Sequence, residues 1–414
     1  MGIGDVLRRR GHRVVFVAEE SFAGTLEAKG FEERLMRLAP APEQPEVPGQ
    51  FWKDFIRDTA PVFRTSTQEQ LAGFILPTWQ ALVDGARYVD DRLIEIFDEL
   101  GPDAIVEDNV CAFPAIPASG RPWVRIVSCN PLEVKDPDLP PTFSGLALQD
   151  RTNWEAFRAE YAAQVGELQA SFSAFCMERG APPLPAMEMI HESPWLNLYL
   201  YPQELDYPRG VALGRTWHNL QTCVRATDEP WHPPEDPDRR RLVYLSLGSL
   251  GSADVELMRR LVELLADTPH RYVVSRGPRH DGYELADNMI GEEFLPQPSV
   301  LPHVDAVITH GGNNTVTESM WFGKPMLVLP IFWDQHDNAQ RVHETGYGIR
   351  LPTYALEPEE LADAVDRLLT DGDMRERVRA AGERLRAQSG TEAAADLIER
   401  VALSGEPAGI AVAG

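Results

Sequence analysis

The sequence predicts an α/β protein built from two doubly wound, Rossmann-like domains, and three observations carry that prediction. In both halves, short apolar runs announced by Gly or Pro alternate with segments of helical period, the pattern of parallel sheets covered by helices. A stretch rich in Pro and acid, Thr227 to Asp238, lies between the halves and has no periodicity, as a linker would. The 414 residues, 43% of them hydrophobic, suffice for two or three domains with large cores.

In the first half, Arg13 to Ala18 reads as a strand, Tyr88 to Glu99 as a helix, and Ala104 to Val106 and Val124 to Val127 as strands. Gly11, Pro102 and Pro122 announce the three strands. In the second half, Arg241 to Leu247 is an apolar strand ended by Gly248-Ser249, and Val255 to Leu265 carries apolar residues at helical spacing. Arg271 to Ser275 is a strand, Glu292-Glu293-Phe294 a candidate strand, and Asp305 to Thr309 a short buried one. A helix over Val316 to Trp321 is closed by Gly323-Lys324-Pro325, and the strand Met326 to Leu329 follows. Helices Met374 to Gln388 and Ala393 to Leu403 close the chain. The expected division is 1–225, a linker 226–240, 241–385, a last helix 386–404 and a disordered tail 405–414.

A formal net charge of -25 argues against nucleic acid and anionic membrane surfaces as main partners, since both need basic patches. The four cysteines form no C-x-x-C pair, so neither zinc nor a disulfide framework is expected. No apolar run is long enough to span a bilayer, and Met1 to Arg10 has no apolar signal core. A cytoplasmic protein, monomer or homodimer, is the expectation.

The densest chemistry is His310-Gly311-Gly312-Asn313-Asn314-Thr315, at a strand-to-helix junction. A helix that begins in a glycine turn presents unpaired N–H groups and the positive end of its dipole, a site for an anion such as a diphosphate. Glu318 lies four residues after Asn314, on the same helical side. A carboxylate beside a diphosphate needs hydroxyls to hold, and a ribose diol fits. Asp334-Gln335, after the next strand, offers an acid and an amide suited to sugar hydroxyls. Ligands in such sheets bind outside the carboxyl ends of the strands, where Ser249, His310 and Asp334 would all sit.

Phe294-Leu295-Pro296-Gln297, His310-Gly311-Gly312-Asn313-Asn314-Thr315, Glu318, Gly323-Lys324-Pro325, Pro330 and Asp334-Gln335 together resemble the donor-binding signature of UDP-dependent glycosyltransferases. The resemblance is to inverting enzymes of the GT-B fold, nearest to bacterial macrolide and natural-product members. It implies an acceptor-binding first domain, a nucleotide-sugar-binding second domain and a last helix that crosses back to the first. Phe294 stands where the family has a tryptophan stacked on uracil, with a smaller π face; a core Phe before a turn is the alternative. Gln297 would pair with the uracil edge or the ribose. His310, Gly312, Asn314, Thr315 and Ser249 would contact the diphosphate. Glu318 would accept from both ribose hydroxyls, which favours UDP over dTDP donors. Asp334 and Gln335 would hold the sugar, with glucose the expected hexose.

Asp108 matches the strand-end aspartate that orients the family's catalytic histidine, with Glu107 beside it as the alternative. That histidine belongs to a loop between a first strand and a first helix. This chain starts at Met1-Gly2-Ile3-Gly4-Asp5, already inside what resembles that helix. The expectation is therefore a chain shortened at its N-terminus, with an in-frame coding stretch upstream. His12, after Gly11 at a helix–strand turn, sits at the wrong strand end for chemistry. Asp136-Pro137-Asp138 and Asp236-Pro237-Asp238 resemble metal-binding D-x-D motifs, but lie in Pro-rich loops. No metal or further cofactor is implied.

Phe51, Trp52, Phe55, Phe63, Phe74, Trp79 and Tyr88 put many rings into the first half, as core or as the wall of a lipophilic acceptor site. The expected reaction is transfer of a hexose from a UDP-sugar to a hydroxyl of a lipophilic natural product such as a macrolide, polyketide or flavonoid. Two rival readings are a UDP-sugar-binding regulatory partner without activity and an enzyme like UDP-N-acetylglucosamine 2-epimerase.

Overall fold

The computed structural model describes residues 1–41, 54, 57–225 and 229–408. Phe51, Trp52, Phe55 and the first residues of the Pro-rich linker lie outside these; the remainder of the linker carries no regular strand or helix.

The second half forms one six-stranded, all-parallel sheet from β7 (Leu242–Ser246), β8 (Arg271–Ser275), β9 (Met289–Glu292), β10 (Ala306–Thr309), β11 (Met326–Val328) and β12 (Gly348–Arg350). Their order, β12-β11-β10-β7-β8-β9, reverses direction between β7 and β10. That reversal opens a crevice at the carboxyl ends of those two strands. Every residue of β7, β10 and β11 is buried, which is why these segments read as continuous apolar runs. Numbering helices of eight residues or more, the first half holds α1 (Gly2–Arg9), α2 (Leu76–Leu100) and α3 (Trp154–Glu178). The second holds α4 (Val255–Leu265), α5 (Asn313–Trp321), α6 (Gln335–Glu344), α7 (Pro358–Thr370), α8 (Gly372–Arg386) and α9 (Gly390–Ser404). The Asp254 carboxylate caps α4 by accepting the Leu257 N–H at 3.1 Å, and Leu257, Met258, Leu261, Val262 and Leu265 bury its apolar face.

The first half contains β1 (Val15–Glu19), β2 (Glu32–Met36), β3 (Ile105–Asp108), β4 (Trp123–Val127), β5 (Leu196–Tyr199) and β6 (Trp217–Asn219), again all parallel. They form two sheets, β1-β2 and β3-β4-β5-β6, and no strand joins β1 to β3 among the described residues. Val106 on β3 is accordingly an exposed valine. Helix α9 crosses back: Ala394, Ile398 and Val401 pack with Val124, Ile126, Leu196 and Leu198. Beside it, Arg10 pairs with Asp396 and Glu399, and His12 Nε2 meets Glu399 at 2.8 Å, so His12 is spent on holding α1 to α9.

Several boundaries differ from expectation. Helix α2 begins twelve residues earlier than Tyr88, continuing directly from a turn at Thr67–Gln70, capped by Ser66 and Glu69, and a π-turn over Leu71–Ile75. Gly248-Ser249 forms a helical turn, Gly248–Gly251, rather than a simple strand end. The candidate strand at Glu292 to Phe294 is the end of β9, and Phe294 lies beyond it.

The halves meet through side chains of the second that grip main-chain atoms of the first. Asp337 accepts the N–H groups of Phe143 (2.6 Å) and Gly145 (2.8 Å), and Asp334 Oδ2 accepts that of Asn130 (2.8 Å). Asn313 Nδ2 donates to the carbonyls of Ser128 (2.8 Å) and Leu200 (3.2 Å). Arg341 reaches the carbonyls of Leu205 and Asp206, Arg350 that of Gly145, and Glu344 accepts the Leu148 N–H.

Candidate functional site: a nucleotide-sugar cleft

His310 follows β10, and the glycine turn leads into α5, with Gly312 at the N-cap and no side-chain cap on its first amides. Gly311 sits at φ +90°, a conformation suited to glycine. The imidazole is held between two glycines: a Cβ at Gly248 would come 2.9 Å from its Nε2, and one at Gly312 2.6 Å. Burial is the main cause of a His310 pKa lowered to about 4, opposed by a hydrogen bond to the Ser246 backbone. The ring is therefore neutral at pH 7, although part of it reaches solvent.

The structure brings Phe294, Gln297, Thr315 and Glu318 to one neighbourhood. Gln297 Nε2 donates to Glu318 Oε2 at 2.6 Å, and Thr315 Oγ1 donates to Gln297 Oε1 at 3.3 Å. Burial raises the Glu318 pKa, with Gln297 and Arg225 pulling it down. The Thr315 hydroxyl thus serves Gln297, whereas the Asn314 and Ser249 side chains are exposed at the turn mouth. Phe294 is 55% exposed, so it is not a core phenylalanine and presents its ring to solvent.

Asp334 and Gln335 open α6 but are buried. Burial pushes the Asp334 pKa up to about 7, while Oδ2 accepts from Asn130 N and Asn338 Nδ2. Gln335 Oε1 accepts the N–H groups of Ile331 and Phe332 at 3.1 and 3.2 Å, which leaves its NH2 group without an acceptor among the described residues. Of this pair, the amide rather than the acid is free to donate. Just before them, Trp333 holds a left-handed φ of +58°, its ring packed at 4.5 Å from Phe143 and 5.0 Å from Trp79.

Across the cleft, Asp108 ends β3. Its carboxyl reaches solvent, bonds Ser128 and is raised in pKa, chiefly by the protein around it. No histidine bonds it among the described residues. Glu107 points the other way into the core, where burial lifts its pKa to about 8 beside Arg125; the solvent-facing acid is Asp108. Between the halves lies an open cavity of about 490 Å³ lined by the apolar Pro61, Phe63, Leu250, Ile331 and Phe332, by Tyr354, and by the charged Arg57, Arg64, Asp254, Glu256 and Arg279. Phe74 and Trp79 are core residues, and Tyr88 is exposed on α2. Among the described residues no three His, Cys, Asp or Glu are grouped to hold a metal, and both D-x-D segments are loops.

The profile of the family described as UDP-glucoronosyl and UDP-glucosyl transferase matches residues 175–381, which contain the whole turn, Glu318 and α6. The chain belongs to this family. It is a glycosyltransferase, and its two Rossmann-like domains are those of the GT-B fold. Demethyllactenocin mycarosyltransferase of Streptomyces fradiae is 25% identical over 96% of this chain and 82% of its own length. The NDP-glycosyltransferase YjiC of Bacillus subtilis is 24% identical over 96% and 92%. Among solved structures, the glycosyltransferase of kitacinnamycin superposes with a TM-score of 0.71 at 23% identity, covering 96% of this chain and 94% of that one. The rival readings as a non-enzymatic partner or an epimerase fall with this assignment. No helix of this glycosyltransferase is long and apolar enough to cross a membrane among the described residues.

Sequence reasoning missed Asn130, Asn313, Trp333, Asp337 and Asn338. The one local signal was the polar run Asp334-Gln335-His336-Asp337-Asn338, whose members are all buried. Five consecutive polar residues without exposure require partners.

Proposed function

We propose that this glycosyltransferase moves a hexose, glucose in the first instance, from a UDP-sugar to a hydroxyl of a lipophilic small molecule such as a macrolide, polyketide or flavonoid, with inversion. The observation that carries the nucleotide reading is Glu318, a half-buried carboxylate one turn below the anion-binding end of α5. A ribose with both hydroxyls satisfies its acceptors; deoxyribose leaves one buried lone-pair site unpaired. The leaving diphosphate would lie at the N-terminus of α5, against His310 and the Gly312 amide. The Gln335 NH2 group would donate to a sugar hydroxyl. The lipophilic acceptor is supported by the apolar part of the cavity wall, Pro61, Phe63, Leu250, Ile331 and Phe332, and by a size that suits a drug-sized ligand.

In the reaction, the acceptor oxygen attacks the anomeric carbon from the face opposite the departing UDP, and its proton passes to the Asp108 side of the cleft. A carboxyl raised above its ordinary value is the better proton acceptor. Incubation with UDP-glucose or dTDP-glucose and a panel of phenols and macrolides, read by mass spectrometry as a hexose-sized mass gain, tests the reaction. Turnover of dTDP-glucose equal to that of UDP-glucose would sink the role of Glu318. Absence of any product with either donor would sink the glucose assignment.

A further inference from the structure

Asn338 is fully buried in the middle of α6 and uses every hydrogen-bonding site of its amide. Its Oδ1 accepts from Asn130 Nδ2 at 2.8 Å and from the Tyr201 hydroxyl at 3.0 Å, both in the first domain. Its Nδ2 donates to the Gly311 carbonyl at 2.9 Å and to Asp334 Oδ2 at 3.4 Å. One side chain thus ties the acceptor domain, the first turn of α6 and the glycine turn below His310.

The Gly311 bond has a directional consequence. In a planar trans peptide the C=O and N–H point opposite ways. Anchoring the Gly311 oxygen on Asn338 therefore aims the Gly312 N–H away from α6, toward the turn mouth. That N–H finds no acceptor among the described residues. Gly311 has no side chain to hold this plane and, at φ +90°, occupies a conformation with neighbouring minima. Asn338 supplies the missing restraint, and its own amide is oriented by Asn130 and Tyr201.

We propose that Asn338 is a positioning residue that couples docking of the first domain to the orientation of the Gly311–Gly312 peptide, and so to the grip on the donor diphosphate. The inference rests on the reading that the diphosphate binds at this turn. Loss of Asn130, a residue of the other domain, should then weaken donor binding.

The test is calorimetric titration of the full chain with UDP at about pH 5, where Asp337 holds its proton, beside thermal melting at the same pH. Asn130→Ala removes the partner of Asn338 while leaving the turn untouched; it should loosen the UDP Kd about tenfold, the scale of one lost buried hydrogen bond. Asp337→Asn, which weakens domain docking away from the turn, should leave that Kd within about twofold at an equal or larger loss of melting temperature. Asn338→Asp keeps both acceptor sites and loses the donor to Gly311; it should raise the KM for donor and leave that for acceptor unmoved. An Asn130→Ala protein that binds UDP as the wild type does overturns the proposal, as does an Asp337→Asn protein that loses UDP in proportion to stability. Should Asn338→Asp fail to fold, the other two variants decide alone. A wild type that binds no UDP overturns the reading of the turn itself, and the coupling with it.

Discussion

Replacing Asp337 by asparagine isolates what a buried carboxylate does at the domain junction. Asp337 is 2% exposed, and its oxygens accept the N–H groups of Phe143 and Gly145. Burial is the largest influence on its proton and raises the pKa from 3.8 to about 7; the two N–H bonds and Arg350 oppose this, and the Asp334 charge adds to it. The folded state therefore holds a proton more tightly than the unfolded chain. This stabilisation is fully present below about pH 4 and is lost as pH rises through about 7, with a limiting slope of about 1.4 kcal/mol per pH unit for one group. Asparagine cannot ionise; it keeps one acceptor and sets an NH2 group against the second N–H. That loss costs about 1–3 kcal/mol at any pH. At pH 5 the variant should be less stable than wild type by about that amount. By pH 8 the wild type alone has released its proton into a buried site, so the deficit should shrink by on the order of 2–4 kcal/mol and close or reverse. Asp334 titrates with Asp337, and removing one charge eases the other, in the same direction. Urea unfolding followed by tryptophan fluorescence at the two pH values measures the difference. A deficit that stays constant, or grows with pH, would show that the two N–H bonds outweigh burial and would refute the reasoning.

Gly312→Ala would place a Cβ 2.6 Å from His310 Nε2, so the ring must shift, at a cost of about 1–3 kcal/mol; UDP affinity should fall at least about tenfold, and a folded variant with unchanged affinity would remove the turn from the binding site. Because His310 is neutral, with its pKa near 4 and a bond to the Ser246 backbone, it needs a second proton to donate to a diphosphate. Titrations of UDP near pH 6 in buffers of different ionisation enthalpy should show proton uptake that His310→Asn abolishes; equal uptake by both proteins would contradict this. Asp108→Asn should slow transfer to aliphatic alcohols by about 10²-fold and to phenols much less, since phenols ionise near pH 10 unaided. An equal loss with both acceptor classes would assign Asp108 a structural role.

The second domain was the more legible half. Helix α4 matches its expected bounds because the Asp254 cap and the apolar period agree, and β10, the glycine turn and α5 form one contiguous signal. Strands β5 and β6 were not read: Leu196-Asn197-Leu198-Tyr199 and Trp217-His218-Asn219 are short and mixed, and become strands through their parallel neighbours. Helix α3 was missed although Trp154, Phe157, Tyr161, Val165, Leu168, Phe172 and Cys176 repeat at three- and four-residue steps and are buried. At the site, residue types were readable and orientations were not. Nothing in the order of letters says that Asp334 turns inward to Asn130, or that Thr315 serves Gln297. Those facts depend on pairings across 18 and 204 positions of chain.

Many ties between the halves end on main-chain atoms of the first one: the amides of Asn130, Phe143, Gly145 and Leu148 and the carbonyls of Ser128, Leu200, Leu205 and Asp206. Such a junction reads the path of the chain rather than its lettering. Apart from those, such as Asn130, Tyr201, Glu204 and Gln221, that themselves pair with the second half, side chains of the first half can change, provided these loops keep their course, without asking the second half to change in step. Recombining one second half with many first halves that keep these loops and those paired side chains is the freedom this construction gives a lineage, or an engineer.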